Sequence, residues 1–235
     1  SNTDGSITSQ VSANQTAGFS IVSYTGDGNS GATVGHGLGK TPSMVIVKER
    51  DGISSWNVKH SSLATNLVLL LNSINEQTNA STEFTGGGVE NLAQNTFGFV
   101  SGTSSADNVV ESGTDYIGYV WAEIEGFSKF GSYVGNGSAD GPFVYCGFKP
   151  AWVMVKRSSA GENWAIIDSS RNSTNVAGKF LRPDEASIET TGAVSMDLLS
   201  NGFKLRTTDS KSNGSGSTYI FAAFAESPFK TANAK

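Results

Sequence analysis

The chain is a succession of short runs in which apolar and β-branched residues alternate with small polar ones. FSIVSYTG (19–26), SMVIVKER (43–50), SWNVKHS (55–61), LVLLLNS (67–73), TFGFVSG (96–102) and DYIGYVWAEIEGF (115–127) are rich in Val, Ile, Tyr, Phe, Trp and Thr. That composition with a period of two predicts β-strands. Clusters of Gly, Asn, Asp and Ser, such as TGDGNSG (25–31) and VGNGSADG (134–141), separate the runs. They predict turns, because Gly and Asn tolerate positive φ. No convincing helical period occurs. VENLAQN (89–95) and VSMDLLSN (194–201) are expected to form one turn or a short helix before a strand that begins GF.

The pattern also repeats. AGFSIVSYTGDGNS (17–30) returns as EGFSKFGSYVGNGS (125–138), and PSMVIVKER (42–50) returns as PAWVMVKRS (150–158). Pro42 and Pro150, Lys48 and Lys156, and Trp56 and Trp164 all stand 108 residues apart. DYIGYVWAE (115–123) matches TYIFAAFAE (218–226) at a separation of 103, so loop lengths differ between copies. The repeat predicts units at 17–124 and 125–227, with 1–16 as a linker or the tail of a preceding unit and 228–235 as a C-terminal extension. ESPFK (226–230) reads as the start of a further unit. Six to eight strands in about 105 residues is the spacing of an antiparallel β-sandwich. In YIGYVWAE and YIFAAFAE both faces are largely apolar. A solitary sandwich strand alternates apolar with polar, so the outer face is expected to be covered by the other copy or another subunit.

Composition narrows the class. Charged residues make up only 16%, against roughly 25% in an average soluble domain. Surface polarity must then come from Ser, Thr, Asn and the 28 glycines, a balance that suits extracellular or virion β-proteins. The net charge of −5 argues against a nucleic-acid partner, which needs a basic stripe. The single cysteine, Cys146, excludes an internal disulfide and reads as a small core residue. Residues 1–15 lack the basic start and apolar centre of a signal peptide. LVLLL (67–71) is far too short to span a membrane. The missing initial Met suggests a piece of a longer chain.

GFSIVSYTGDG (18–28), HGLGKTPSMVIVK (36–48), SKFGSYVGNGSADGPFVYCGFKPAWVMVKR (128–157), LSNGFKLRTT (199–208) and YIFAAFAESPFK (219–230) carry a resemblance. Together they resemble a domain recurring in tail-fibre and other virion proteins of tailed bacteriophages, common in marine and cyanobacterial phages. The resemblance spans residues 3–230. It implies two tandem jelly-roll-like antiparallel β-sandwich repeats in an all-β virion structural module. It carries no mapped site. The function expected is non-enzymatic, in a tail fibre, spike or related appendage for host-surface attachment. A head fibre or capsid decoration protein is the alternative, as is a carbohydrate-active depolymerase or secreted lectin. The expected partners are other virion proteins, a host-surface glycan or receptor, and further copies of the chain as a homotrimer. Neither a cofactor nor membrane insertion is expected, and the location is the virion.

Candidate chemistry is sparse. The histidines are His36 and His60, aligned roughly with Tyr145 and Asp168 of the second copy, and neither has a triad around it. Glu123 and Glu125, two apart on a strand, would share a face, as a hydrolase pair must. NGSADG (136–141) imitates the start of a calcium loop, but the position for the final acid is Gly147. VGHGLGKTP (34–42) ends like a phosphate-binding loop, yet Val34 replaces its first Gly and a β-branched strand follows instead of a helix. Trp56, Trp121, Trp152 and Trp164 read as core. Tyr24 and Tyr133 precede the glycine turns. With Asp27, Asn29, Asn136 and Asp140 of those turns they make the candidate rim for a ligand or receptor. No catalytic, cofactor-binding or metal residue is expected.

Overall fold

The computed structural model describes residues 1–80, 88–100 and 109–227. The extension expected at 228–235 lies outside the described residues. The chain folds as two compact units, one of Ser1–Leu71 with Gln77–Glu123, the other of Asn72–Glu76 with Ile124–Lys235.

The first unit runs β1 (Ser9–Asn14), β2 (Phe19–Thr25), β3 (Thr33–Gly35), β4 (Met44–Glu49), β5 (Asn57–His60), β6 (Leu67–Leu70), β7 (Thr78–Asn79), β8 (Gly88–Glu90), β9 (Thr96–Val100) and β10 (Asp115–Trp121). A seven-stranded sheet has the order β1-β2-β10-β4-β5-β6-β7, and a three-stranded sheet the order β3-β9-β8. Val22, Tyr24, Val45, Val47, Tyr116 and Val120 of the first sheet share one core with Val34, Val89, Phe97 and Phe99 of the second. Each of the Val and Phe side chains among them contributes roughly 1.5–3 kcal/mol through burial.

The second unit runs β11 (Ser128–Val134), β12 (Phe143–Tyr145), β13 (Pro150–Arg157), β14 (Ala165–Asp168), β15 (Ala177–Phe180), β16 (Thr190–Leu199), β17 (Gly202–Leu205), the single helical turn α1 (Ser210–Asn213) and β18 (Thr218–Ala225). Its sheets are β11-β18-β13-β14 and β12-β17-β16-β15. The order β2-β10-β4-β5 of the first unit therefore recurs as β11-β18-β13-β14, and β3-β9-β8 recurs within β12-β17-β16-β15. Strands pair antiparallel throughout. The protein is all-β and sandwich-like. Among the described residues no helix is long and apolar enough to cross a membrane.

Several sequence expectations change. Residues 1–16 are no mere linker, because Ser9–Asn14 pairs along its whole length with β2. Ser9 is buried and Gln10 and Ser12 face solvent, so this edge strand is held by backbone hydrogen bonds rather than by apolar alternation. VSMDLLSN forms no helix. Val194, Met196 and Leu198 enter the core at a spacing of two, the mark of strand β16. VENLAQN likewise begins inside β8. The only helix among the described residues is α1, capped by Asp209, whose carboxylate accepts from the Lys211 amide. Of the tryptophans only Trp164 is fully buried; Trp56, Trp121 and Trp152 are half-buried. Trp56 stacks on Tyr119 at 6.4 Å, and Phe19 lies 5.1 Å from Trp121 on the outer face of β2 and β10.

The same device closes each unit separately. Tyr24 and Tyr116 are cross-strand partners, stacked at 5.2 Å. Tyr133 and Tyr219 are their counterparts, stacked at 5.0 Å. Tyr24 donates to the Val109 carbonyl at 2.6 Å, and Tyr133 donates to the Ser212 carbonyl at 2.7 Å. Tyr116 accepts from the Glu111 amide, and Tyr219 accepts from the Gly214 amide. The stacked rings thus pin the loop before the last strand. The turn after β2 or β11 then docks on that loop. Gly28 donates to Val110 as Gly137 does to Asn213, and Gly113 donates to Gly26 as Gly216 does to Gly135. A Cβ on Gly26 would sit 2.2 Å from the Glu111 carbonyl oxygen, and one on Gly135 would sit 2.4 Å from that of Gly214, so only glycine fits. Tyr24→Phe or Tyr133→Phe keeps the ring and leaves a buried carbonyl without its donor. Each is expected to lower the unfolding free energy by about 1–2 kcal/mol. The urea midpoint should fall with an unchanged m-value.

Candidate functional site

The turn residues expected to form a rim are placed by this same docking. Tyr24 and Tyr133 are only 4% and 8% exposed, so they lie beneath the turns as pins and form no rim. The two-residue spacing from buried Val22 is the signal that could have placed Tyr24 on the inner face. Asp27 and Asn29 are exposed, and the Asp27 carboxylate accepts from the Asn29 amide at 2.9 Å. Asn136 is knit into its own turn: its side-chain oxygen accepts from Ser138 N and Asn213 Nδ2, while its Nδ2 donates to the Asp140 carbonyl. These oxygens accept from N–H donors, which knits each turn into a hydrogen-bonded unit. Among the described residues no group of three or more His, Cys, Asp or Glu side chains is placed to hold a metal ion.

Asp140 alone of the expected residues reaches a wider constellation. Lys204 Nζ lies 2.8 Å and Arg206 Nη1 3.5 Å from Asp140 Oδ1, and Arg206 Nε lies 2.6 Å from Asp197 Oδ2. The hydrogen bond from Lys204 holds the Asp140 carboxyl below its usual range. Lys204 is the cross-strand partner of Asp197 on one side and of Phe143 on the other. Two carboxylates and two cations therefore form a charge-neutral ladder on the outer face of the β12-β17-β16-β15 sheet. Phe143 and Tyr145 stand exposed at its edge. Sequence reasoning missed all of these but Asp140, since an FVY run looks wholly buried until the pairing shows that Val144 alone points inward.

The two histidines serve as internal ties. His36 Nδ1 accepts from the Leu38 amide, and Nε2 lies 3.2 Å from the Ala93 carbonyl, so the neutral Nε2–H tautomer fits. Burial lowers its pKa, against the opposing pull of the Ala93 carbonyl. The counterpart of His36 is Cys146, not Tyr145. The His36 amide donates to Asn95 as that of Cys146 does to Asn201. Gly37 and Gly39, both at positive φ, carry the loop from β3 to β4, so the GKT letters lead into a strand. His60 Nδ1 accepts from Ser62 N, a task done in the second unit by Asp168, which accepts from Arg171 N. Glu123 and Glu125 lie beyond the end of β10, so strand spacing no longer puts them on one face.

Two lysines within strands are buried. Lys59 donates to the carbonyls of Ala64, Thr65 and Leu67 at 2.5, 2.7 and 2.8 Å, and it stands where the second unit has Ile167. Lys156 donates to the carbonyls of Ile74 and Glu162. Burial brings each pKa down to about 8.

With this geometry in view, the chain matches, over residues 1–228, the family described as a domain of unknown function, DUF7483, and belongs to that family. No curated protein and no solved structure matches it.

The lysines make the stability pH-dependent. Unfolded lysines hold their protons to about 10.4, whereas Lys59 and Lys156 release theirs near about 8. Between those values the unfolded chain binds more protons, so stability rises with pH. Tyr24 and Tyr133 act oppositely: burial holds their folded pKa values well above 10.0, while the unfolded hydroxyls ionise near about 10. Urea midpoints are expected to climb above pH 8, peak near about pH 10 and then fall. Lys59→Met should remove part of the climb. A curve flat from pH 8 to 10 would show that the buried ammonium groups stay charged.

Proposed function

We propose that the chain is a non-enzymatic structural module of a tailed-phage virion, in a tail fibre, spike or related appendage used for host-surface attachment. The motif resemblance supplies the virion setting. The observation that carries the non-enzymatic reading is the use of the reactive side chains. Lys59, Lys156, His36, Tyr24 and Tyr133 are each buried and bonded to backbone groups of a loop. They act as fasteners, and a protein whose ionisable groups fasten loops is built for persistence of shape. In the finer fold reading, the chain is two tandem copies of one jelly-roll-like module. Support comes from the pairing of first strand with last (β11 with β18) and of second with next to last (β12 with β17), while the inner strands close as hairpins. Repetition of the tyrosine pins in both units also fits a modular appendage.

Purified phage particles test the reading. Quantitative mass spectrometry is expected to find the chain at copy numbers of a structural component, with immunogold label on the tail appendages. Label over the capsid shell would move the module to a head fibre or decoration role. Absence from purified virions would sink the virion reading. Sedimentation of the isolated chain is expected to give a homotrimer, and a monomer at micromolar concentration would overturn that assembly.

A further inference from the structure

β12 is the edge strand of its sheet, and its three residues alternate sharply. Phe143 is 45% exposed, Val144 is in the core, and Tyr145 is 64% exposed. Alternation puts both rings on the outer face, about 7 Å apart along the strand. Glycines shape the floor beside them. A Cβ on Gly202 would lie 3.1 Å from Phe143 Cζ and 2.1 Å from the Val144 carbonyl oxygen. One on Gly147 would lie 3.5 Å from the Tyr145 hydroxyl and 3.8 Å from its ring. The Phe143 ring thus reaches toward Gly202, and the Tyr145 ring leans over Gly147. Both rings lie beside glycine backbone and keep much of their surface exposed. The neutral ladder of Lys204, Arg206, Asp140 and Asp197 begins one strand away.

We propose that this face binds a neutral saccharide. A sugar ring has a C–H face, which the negative face of an aromatic ring attracts, and a rim of hydroxyls that both donate and accept. Phe143 and Tyr145 supply the planes, Lys204 and Arg206 supply donors, and Asp140 supplies an acceptor that is 81% exposed. The ladder's charges cancel, so nothing there favours an acidic polymer. A nucleic-acid strand, which stacks on aromatics within a positive groove, is disfavoured for the same reason. A protein partner needs about 800 Å² on each side. Two aromatic side chains, already partly covered, offer at most about 150–250 Å² each. In the first unit the equivalent positions are Thr33 and Gly35, so the platform occurs once in the two repeats. The inference rests on the attachment reading, for which it names a ligand class, but its test needs only the isolated chain.

Native affinity electrophoresis through gels containing dextran, galactomannan or xyloglucan, with alginate as the acidic comparison, provides that test. At least one neutral polysaccharide is expected to retard the chain. Phe143→Ala with Tyr145→Ala should weaken that affinity at least tenfold and Lys204→Met severalfold, with cooperative thermal unfolding retained because both aromatic side chains lie outside the core. The proposal is overturned if no neutral polysaccharide retards the chain, if only alginate does, or if the double variant is retarded as before. It is also overturned if the double variant loses self-association in sedimentation instead of glycan affinity. A chain present on particles but indifferent to glycans refutes this site alone. One absent from particles yet retarded by a neutral glycan refutes the virion setting alone.

Discussion

Leaving a buried hydroxyl without a partner is costly, and in each unit the bonding of the tyrosine hydroxyls organises one end of the fold. The stacked tyrosines bring large apolar rings into the core along with hydroxyls that cannot be left unbonded there. Val109 and Ser212 provide the acceptors, which draws the loop before the last strand down over the core. With that loop in place, the turn after the first core strand has a fixed surface to lie on. The glycines at its closest approach, Gly26 and Gly135, follow from the distance that surface imposes. Ring stacking, loop, turn and glycine form one chain of cause, and both copies obey it although their loops differ in length.

The charges follow a related logic. With few ionisable residues, the protein places several inside, and the two buried lysines among them are matched by oxygen atoms of the main chain. Lys59 occupies a position where its counterpart is simply apolar, and the loop wrapped around its ammonium supplies the carbonyls that make this tolerable. On the surface of the second unit, cations meet carboxylates instead, and there the result is polar ground beside open aromatic planes. Polar groups thus fasten loops inside the fold and lend it recognition chemistry outside.

The sequence displayed the strands and the repeat because both rest on side-chain alternation, which is local. It hid β1, whose Ser and Gln residues carry no apolar rhythm and which is defined by what it pairs with. It blurred β16, where Leu199 beside Leu198 breaks the alternation that Val194, Met196 and Leu198 keep. The alternation of Val22 and Tyr24 was a readable sign that this tyrosine faced inward, and proximity to a glycine turn obscured it. The burial of Lys59 was not readable, because the carbonyls that stabilise it belong to a loop whose path no local pattern states. The exposure of Phe143 and Tyr145 was hidden for the same kind of reason: direction along a three-residue strand is settled by its neighbour across the sheet.

The change in separation between the copies, from 108 residues at β4 and β13 to 103 at β10 and β18, acquires a meaning here. That drop falls between two points of attachment, the docked turn near the start of a unit and the pinned loop near its end. A copy can gain or lose residues between these points and still close the same way. The module behaves as a clasp with an adjustable strap, a form of inheritance in which surfaces diverge while the fastening stays constant.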